Sequence, residues 1–387
     1  MQKAIEVEYW TVDEEGALVE PGALTEFSEN VEGEFVEPLF ELKTEPYETI
    51  PELRAAFVDR LAETVARADE LGKRLVPLGT PIGEESIDFR PSERGRVQRA
   101  VIGDRFRHAK HCAGTHLHFE QRNVVDQLNV LLGIDPVLAL ANSSPYYRGE
   151  RLADGARAYL YRRRTYELFP DHGQLWEYVD TVAEWERRLQ ARYEEFRTAA
   201  IDAGVDADAV DRHFSTDDAV WAPVRLREEM PTVEWRSPDA TLPSEILRLT
   251  ADVDRLMEGL HHTSVQIGTA GAFDVADDGV TLPPFDELRD LTDAAMHDGL
   301  GSATVRTYLD RMGFSPREYD PLSRWIDGPA RVSEAEARAL RLRCARRLRE
   351  DVAALREAAS ESRSRIPSSS ESPSESSSES PSSTDSE

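Results

Sequence analysis

Four short segments of the chain alternate between apolar and ionisable residues with the period of two that is typical of a half-buried β-strand. The segments read AIEVEYWTV at 4–12, EPLFELKT at 37–44, GTHLHFE at 114–120 and TVEWR at 232–236. Side chains at positions i, i+2 and i+4 of a strand point to the same face of its sheet. The pattern therefore restricts the chain to folds in which short strands each turn ionisable side chains to one side.

Each segment carries one pair of polar or ionisable side chains that share a face. The pairs are Glu6 and Glu8, Glu37 and Glu41, His116 and His118, and Glu234 and Arg236. Taken singly, such a pair is most often the solvated face of an edge strand or an ion pair of little energetic value. If the four strands share one sheet, however, carboxylates, two imidazoles and a guanidinium meet on one side of it. Their joint occurrence indicates a functional site.

Amphipathic helical segments separate these strands. A helix is expected over 51–71, with Pro51 in its first turn and Gly72 after its end. A segment over 126–142 is expected to be a helix broken near Gly133 and Pro136. Further helices are expected over 174–201, 244–267, 286–298, 302–312 and 333–359. Because strands and helices do not alternate as regular βαβ units, we expect an α+β fold with helices on one side of a largely antiparallel sheet.

The end of the chain differs in composition from the rest. Residues 360–387 are mostly Ser, Glu and Pro, and Ile366 is their only large apolar side chain. Such a segment cannot bury enough apolar surface to offset the entropy lost on ordering. We expect a single folded domain over 1–359 and a disordered, acidic tail over 360–387.

The charge balance is strongly acidic, since 46 Lys and Arg stand against 74 Asp and Glu, for a net charge of −28. A surface so negative repels nucleic acid and anionic lipid, so neither is an expected partner. No run approaches the roughly 18 apolar residues of a membrane span, and the first residues form no signal segment. We therefore expect a cytoplasmic protein.

Lysine is rare in the chain and occurs only at positions 3, 43, 73 and 110. An acidic, Lys-poor surface is typical of proteins that work in concentrated salt, because salt screens the repulsion between like charges. GC-rich coding also favours Arg over Lys. Halophily is accordingly a hypothesis at this point.

Cys112 and Cys344 are too few for a disulfide framework, and by themselves they cannot make a metal site. We expect two free thiols in a reducing compartment. Cys112 lies just before the histidine-bearing strand, where a catalytic thiol is conceivable. A buried, inert cysteine is the favoured interpretation.

Carboxylates gathered in one cleft raise each other's pKa values unless cations compensate them. Divalent metal is the natural counter-charge, and a carboxylate-rich site with few imidazoles favours Mg²⁺ or Mn²⁺ over Zn²⁺. Mg²⁺ usually brings phosphate oxygens as further ligands, and an arginine on the same face can bind a phosphate or a carboxylate bidentately. The residues thus predict a metal-assisted phosphoryl-transfer site.

Five motifs, in this order and at this spacing, resemble those of the glutamate–cysteine ligase family of the bacterial and archaeal carboxylate–amine ligase type. They are Ala4–Tyr9 (AIEVEY), Glu37–Thr44 (EPLFELKT), Gly114–Phe119 (GTHLHF), Ala141–Gly149 (ANSSPYYRG) and Pro231–Asp239 (PTVEWRSPD). The resemblance covers roughly residues 1–350. Glu120 stands where the family usually has a glycine, and Leu160 where it often has an arginine.

The resemblance implies a glutamine-synthetase-like fold, in which a curved antiparallel sheet is open on its concave face and has helices on its convex side. It also implies two metal sites, one formed by Glu8, Glu37 and Glu41 and the other by Glu6, His116 and Glu234. His118 would lie near the nucleotide. Arg236 would bind the transferring phosphate or the substrate carboxylate, with help from Arg225 or Arg227 across the cleft. Arg236 and Glu41 are the expected catalytic residues.

By the same resemblance, the activity would be an ATP-dependent ligation of the glutamate γ-carboxylate to the amine of cysteine through a γ-glutamyl phosphate. The expected small molecules are glutamate, cysteine and ATP with Mg²⁺ or Mn²⁺. Three alternatives stay open: the same chemistry with another amine, a carboxylate and histidine metallohydrolase, and a catalytically silent binding protein. A homo-oligomer is compatible with the sequence as well.

Overall fold

The computed structural model of the chain describes residues 1–228, 230–326 and 328–364. Residues 360–364, expected to belong to the tail, continue the last helix of the described structure. The rest of the predicted tail, from residue 365 onward, lies outside the described residues.

Short strands occur along most of the described chain and form three sheets. In chain order they are β1 (Lys3–Val12), β2 (Val31–Gly33), β3 (Leu39–Lys43), β4 (Arg74–Val76), β5 (Thr115–Glu120), β6 (Tyr146–Tyr147), β7 (Glu150–Arg151), β8 (Val224–Arg227), β9 (Thr232–Trp235), β10 (Ser264–Ile267), β11 (Asp274–Ala276) and β12 (Gly279–Leu282). The main sheet has the order β2-β3-β1-β5-β9-β8, and β4 also pairs with β1. All its pairings are antiparallel, as predicted.

Helices connect and cover the strands. They are α1 (Ile50–Glu70), α2 (Glu93–Ile102), α3 (Val124–Gly133), α4 (Ala156–Leu160), α5 (Val182–Asp202), α6 (Ala207–His213), α7 (Thr216–Ala219), α8 (Pro243–Gly259), α9 (Phe285–His297), α10 (Ala303–Arg311), α11 (Leu322–Trp325) and α12 (Glu334–Ser364). A 3₁₀ helix spans Gly103–His111, and a π-helical turn spans Tyr161–Thr165. Among the described residues, no helix combines the length and the apolar character that crossing a membrane requires.

The α+β class and the four predicted strands are confirmed, although the second strand begins at Leu39 and not at Glu37. Two predicted helices have different ends. The helix expected from residue 174 begins only at Val182, because the Thr181 side chain accepts the backbone N–H of Glu184 and caps the helix there. The helix expected to reach residue 267 ends at Gly259, and Ser264–Ile267 instead pairs in parallel with β12.

One face of the main sheet is apolar and forms the core. Ile5, Val7 and Tyr9 of β1 are fully buried, and they alternate with the carboxylates on the other face. Helices α1, α8 and α12 contact one another and pack against strands of this sheet. Burying each such side chain stabilises the fold by roughly 1.5–3 kcal/mol, so the alternation fixes which face of β1 is polar.

The polar face forms the floor of a cleft. Segments over 89–109, 161–166 and 217–221 line a cleft above it. The helix α2 within the first segment was not predicted, because only Val97, Val101 and Ile102 of its ten residues are buried apolar ones. The helical periodicity of its apolar residues is therefore weak. The clearest sequence signal for α2 is Ser92, which caps its N-terminus.

Candidate active site

The register of the main sheet arranges the polar face in rows that run across the strands. Read across the strands, the rows are Glu32–Glu41–Glu8, Lys43–Glu6–His116 and His118–Glu234–Arg225. Directly opposed residues of antiparallel strands have their Cβ atoms about 4.5–5.5 Å apart. The sheet therefore brings together most of the residues that the strand periodicity selected.

Glu6 lies at the centre of this arrangement. Its Oε2 is 3.3 Å from Nδ1 of His116 and 3.4 Å from Nε2 of His118. Nδ1 of His116 is also 3.4 Å from Oε1 of Glu234 and 3.8 Å from Oε1 of Glu41. A single imidazole therefore contacts carboxylates from three different strands.

Three groups of side chains place their ligand atoms within 4.8 Å of one another, which suits the binding of a metal ion. The groups are Glu6, His118 and Glu234; Glu6, Glu41 and His116; and Glu8, Glu34 and Glu41. Oxygen ligands of an octahedral Mg²⁺ lie about 3–4 Å apart, so these spacings fit the ion with little side-chain movement. The predominance of carboxylate oxygens fits Mg²⁺ or Mn²⁺.

Glu37 is the one predicted metal ligand that the structure does not bring into these groups. The spacing argument required Glu37 and Glu41 to lie on one strand, but β3 begins only at Leu39. Glu37 lies in the turn before it, where its backbone N–H donates to the Asp88 carbonyl. Glu34, before the same turn, takes the place beside Glu8 and Glu41.

His118 is more deeply buried than His116. Its side chain is fully buried beneath the cleft, and Nδ1 lies 3.2 Å from Oγ1 of Thr232. The cavity is lined by His116 and not by His118. This geometry suits a metal ligand in the group with Glu6 and Glu234, and the position of His118 near a nucleotide stays a prediction.

The carboxylates of the cleft have unequal pKa values. Burial raises the pKa of Glu8 to about 7, although Arg157 and the backbone N–H of Gly114 oppose this shift. Burial and the neighbouring charge of Glu8 raise the pKa of Glu34 to about 8. Burial, with the charges of Glu34 and Glu6, raises the pKa of Glu41 well above its ordinary range. This part of the cleft gathers more carboxyl groups than the cations around it can keep ionised at their ordinary pKa values.

In the half of the cleft around Glu6 and Glu234, neighbouring side chains stabilise the ionised carboxylates. Burial opposes ionisation of Glu6, but hydrogen bonds and charge interactions with His116 and His118 hold its pKa well below the ordinary value. Glu234 likewise has a lowered pKa, because Arg236 and the two imidazoles outweigh its burial. Burial and the charge of Arg236 lower the pKa of His116 to about 4, so its imidazole is neutral at pH 7 and can act as a metal ligand.

Arginines line the cleft beside Glu234. Nε of Arg236 lies 3.1 Å from Oε1 of Glu234, and Nη1 of Arg227 lies 3.9 Å from its Oε2. Arg225 is opposite Glu234 in the strand register and also lines the cavity. The structure therefore places all three predicted arginines where an anionic group in the cleft could reach them.

The cavity above the polar face has a volume of about 480 Å³ and two aromatic walls. In one wall, the rings of Tyr161 and Trp221 stack with centroids 4.3 Å apart, and the Arg236 guanidinium lies 6.0 Å from the Trp221 centroid. In the other, Phe89 and Phe106 stack at 5.2 Å. Flat apolar surfaces of this kind can bind a planar ring.

Several cleft residues were missed by sequence reasoning. Lys43 lies two positions after Glu41, so the same strand rule would have placed it on the polar face. Glu34 lies two positions after Glu32, which is on the polar face of β2. The aromatic walls gave no comparable local signal, because their residues come from irregular segments and meet only in the folded chain.

Both cysteines are free and buried. Burial raises the pKa of the Cys112 thiol well above its ordinary value, so the thiol stays protonated at neutral pH. This state agrees with the interpretation of Cys112 as an inert core residue.

Fold and site together define an α+β protein whose antiparallel sheet carries a cleft lined by carboxylates, histidines and arginines. A family profile described as glutamate-cysteine ligase family 2 matches residues 5–275, and the chain belongs to this family. A relative from Chloroflexus aggregans with the name "Putative glutamate--cysteine ligase 2" is 28% identical over 270 residues. Both names describe a ligase that forms a C–N bond. The match covers 65% of this chain and 63% of the relative.

Two solved structures are similar in fold. A glutamate–cysteine ligase from Francisella tularensis, in complex with AMP, aligns with a TM-score of 0.51 and 15% identity, over 93% of this chain and 92% of that one. A bifunctional glutathione synthetase from Pasteurella multocida aligns with a TM-score of 0.53 and 14% identity, over 91% of this chain and 52% of that one. At these identities the likeness concerns the fold alone, and it agrees with the predicted fold class.

Proposed function

We propose that the protein catalyses the ATP-dependent ligation of the glutamate γ-carboxylate to the amine of cysteine, giving γ-glutamylcysteine, ADP and phosphate. The observation that carries the proposal is the joint presence of Glu6, Glu41, His116, Glu234 and Arg236 on one sheet face. Membership of the ligase family supports the same chemistry.

The reaction has two steps that balance without a protein nucleophile. A γ-carboxylate oxygen of glutamate attacks the γ-phosphorus of ATP, and ADP leaves. The amine nitrogen then attacks the acyl carbon of the γ-glutamyl phosphate, loses its proton to solvent, and expels phosphate that carries the former carboxylate oxygen. The protein mainly positions the reactants and stabilises charge in such a reaction.

Arg236 is the residue best placed to bind the transferring phosphate. Its side chain is 17% exposed and lies at the cavity surface between Glu234 and Trp221. A guanidinium can donate two parallel hydrogen bonds to phosphate oxygens and stays charged at any working pH. Arg225 and Arg227 line the same cavity and can bind the substrate carboxylate.

The two groups that contain Glu6 and a histidine would hold Mg²⁺ or Mn²⁺. Such an ion, when bound, neutralises charge on the phosphate oxygens. The neutral imidazole of His116 fits this role. His118, beneath the surface, fits as a ligand or as a group that orients Glu6.

The proposal is tested by ADP release from the purified protein with ATP and Mg²⁺ in high KCl. Glutamate and cysteine are added singly and together, and other amines then replace cysteine. We expect ADP only with glutamate and cysteine together. ADP with a different amine would keep the mechanism and change the acceptor, whereas no ADP with any combination would refute ligase chemistry. A Glu234→Gln variant, expected to be inactive, controls for contaminating ATPase.

The acyl phosphate step has its own signature. Glutamate labelled with ¹⁸O in the γ-carboxylate should transfer one labelled oxygen to each phosphate released. Mass spectrometry of the phosphate measures this transfer. Unlabelled phosphate would exclude the γ-glutamyl phosphate, and release of product from an amide or phosphoester without ATP would indicate a metallohydrolase instead.

A further inference from the structure

Lys43 places a cation among the carboxylates of the polar face. It lies two residues after Glu41 on β3 and directly opposite Glu6 in the strand register. Its Nζ is 2.8 Å from Oε2 of Glu41 and also forms an ion pair with Glu32. An ammonium with two carboxylate partners is fully charged at neutral pH.

The two oxygens of Glu41 face different partners. Oε1 faces His116 at 3.8 Å, in the group that also contains Glu6. Oε2 faces the ammonium of Lys43. Glu41 is only 6% exposed, so its carboxylate has little freedom to turn toward a third partner.

The three candidate metal groups therefore differ in their surroundings. Two of them contain Glu6 and a histidine, whereas the third consists of Glu8, Glu34 and Glu41 alone. Glu41 in that third group already has an ammonium as its counter-ion. A divalent ion that used Oε2 of Glu41 would have to displace Lys43, and one bound nearby would be repelled by it.

We propose that the Lys43 ammonium is a resident cation that takes the place of a divalent ion in the Glu8, Glu34 and Glu41 group. Divalent ions are then bound only by the two groups that contain Glu6. This inference rests on the metal-binding part of the proposed function. It assigns to Lys43 a positioning role, because the lysine fixes the orientation of Glu41 and the number of ions beside it.

The other three lysines do not share this environment. Nζ of Lys3 lies 2.9 Å from Oδ1 of Asp254. Lys73 donates to the carbonyls of Glu20 and Pro21. Lys110 donates to the Ile87 carbonyl, and its Nζ lies 4.3 Å from the centroid of the Phe89 ring. Lys110 is thus a matched control, since it lies against a cleft wall without contacting the candidate metal groups.

The test is a Mn²⁺ titration of the full chain, in which electron paramagnetic resonance reports free Mn²⁺ and gives the number of ions bound. We expect Lys43→Met and Lys43→Gln each to bind one more Mn²⁺ than the unmodified protein, with at least tenfold higher affinity at that site. Lys43→Arg, which keeps the charge, and Lys110→Met should bind the same number as the unmodified protein. Circular dichroism checks that each variant is folded.

A second substitution locates the additional ion. Adding Glu34→Gln to Lys43→Met should remove the gained Mn²⁺ and leave the others. Equal numbers of ions in the unmodified protein and both neutral variants would overturn the role of Lys43 and leave the proposed ligase intact. If the additional Mn²⁺ were still bound after Glu34→Gln, the ion would not lie in the Glu8, Glu34 and Glu41 group. No Mn²⁺ binding in any variant would contradict the metal-binding part of the proposed function itself.

Discussion

Glu6 and Glu8 show how far the environment separates two identical side chains on one strand. They are two residues apart on β1 and point to the same face. Glu6 faces two imidazoles, which lower its pKa, whereas burial raises the pKa of Glu8 to about 7. The difference lies in the neighbouring segment of the chain. Strand β5 offers histidines to Glu6, whereas Gly114, just before β5, donates its backbone N–H to Glu8. The two carboxyl groups consequently ionise over different ranges of pH.

The raised pKa of Glu8 predicts that Glu8→Gln makes stability less sensitive to pH. A carboxyl whose pKa rises from 4.5 to about 7 on folding keeps its proton better in the folded state, so stability falls as pH rises through that window. The neutral amide removes this loss, which amounts to at most about 3 kcal/mol. Denaturant unfolding at pH 5 and pH 8 in EDTA measures it.

In that experiment the free energies of unfolding of the variant and of the unmodified protein should differ most at pH 8. Glu63→Gln, at an exposed position on α1, is the matched control and should follow the unmodified protein. If the free energy of unfolding changed between pH 5 and pH 8 by the same amount in Glu8→Gln as in the unmodified protein, Glu8 would not be the titrating group.

Arg236→Lys tests whether shape as well as charge matters at the cavity surface. Lysine keeps the positive charge but lacks the planar pair of donors. We expect a fall in kcat of about 10²- to 10³-fold, with little change in the unfolding midpoint. ADP release measures the rate, and Arg197→Lys, in an exposed ion pair with Asp211, should stay active. A rate within about threefold of the unmodified protein would exclude bidentate binding by Arg236.

Among the elements, β1 has the largest role in building the site. It pairs with β3 and β5 on its two sides, and beyond the end of β5 it also pairs with β4. A central strand in this position is held by hydrogen bonds along both edges, so its side chains have a fixed direction. The strands that carry the candidate ligands are therefore neighbours in one rigid sheet.

A buried ion pair fixes the end of β9, which carries Glu234 and is followed directly by Arg236. Arg162 of the π-helical turn donates to both oxygens of Asp135, at 2.6 and 3.1 Å, and to Oγ of Ser237 at 3.0 Å. Both partners of the pair are almost fully buried. The contact connects the π-helical turn, the segment after α3 and the residues directly after β9.

Asp135→Asn should destabilise the protein by about 3 kcal/mol or more, because it leaves the Arg162 guanidinium buried without a counter-charge. Asp211→Asn is the matched control: Asp211 accepts two hydrogen bonds from Arg197, but this pair is exposed. Its loss should cost far less than the loss of the buried pair, because solvent screens the exposed charges. Guanidinium chloride unfolding compares the two variants, and equal losses would contradict a structural role for the buried pair.

At the scale of the whole molecule, the net charge of −28 governs the response to salt. Like charges on one compact surface repel each other, and added salt screens the repulsion. We expect the thermal unfolding midpoint to rise by several degrees between about 0.1 and about 4 M KCl. Calorimetry measures the midpoint, and glycerol at matched osmolality controls for solute exclusion. A flat dependence would refute adaptation to concentrated salt.

The strand periodicity predicted which residues share a face, but it did not predict their partners. Glu6, Glu8, His116 and Glu234 all lie on the polar face, as the alternation indicates. Glu37 was misplaced because the alternation was extended through a turn, where the rule of period two does not hold. The residues of the cleft walls come from segments with weak periodicity, so no local pattern could assign them.

The sequence by itself determined the class of fold, the two faces of the strands and the residue types that form the site. These properties are local, because alternation along a strand and helical periodicity depend on near neighbours in the chain. The tertiary structure decided that Glu34, and not Glu37, lies beside Glu8 and Glu41, that the Lys43 ammonium contacts Glu41 and that two aromatic walls line the cleft. These properties depend on strand register and on the packing of distant segments, which are set by the free energy of the whole fold.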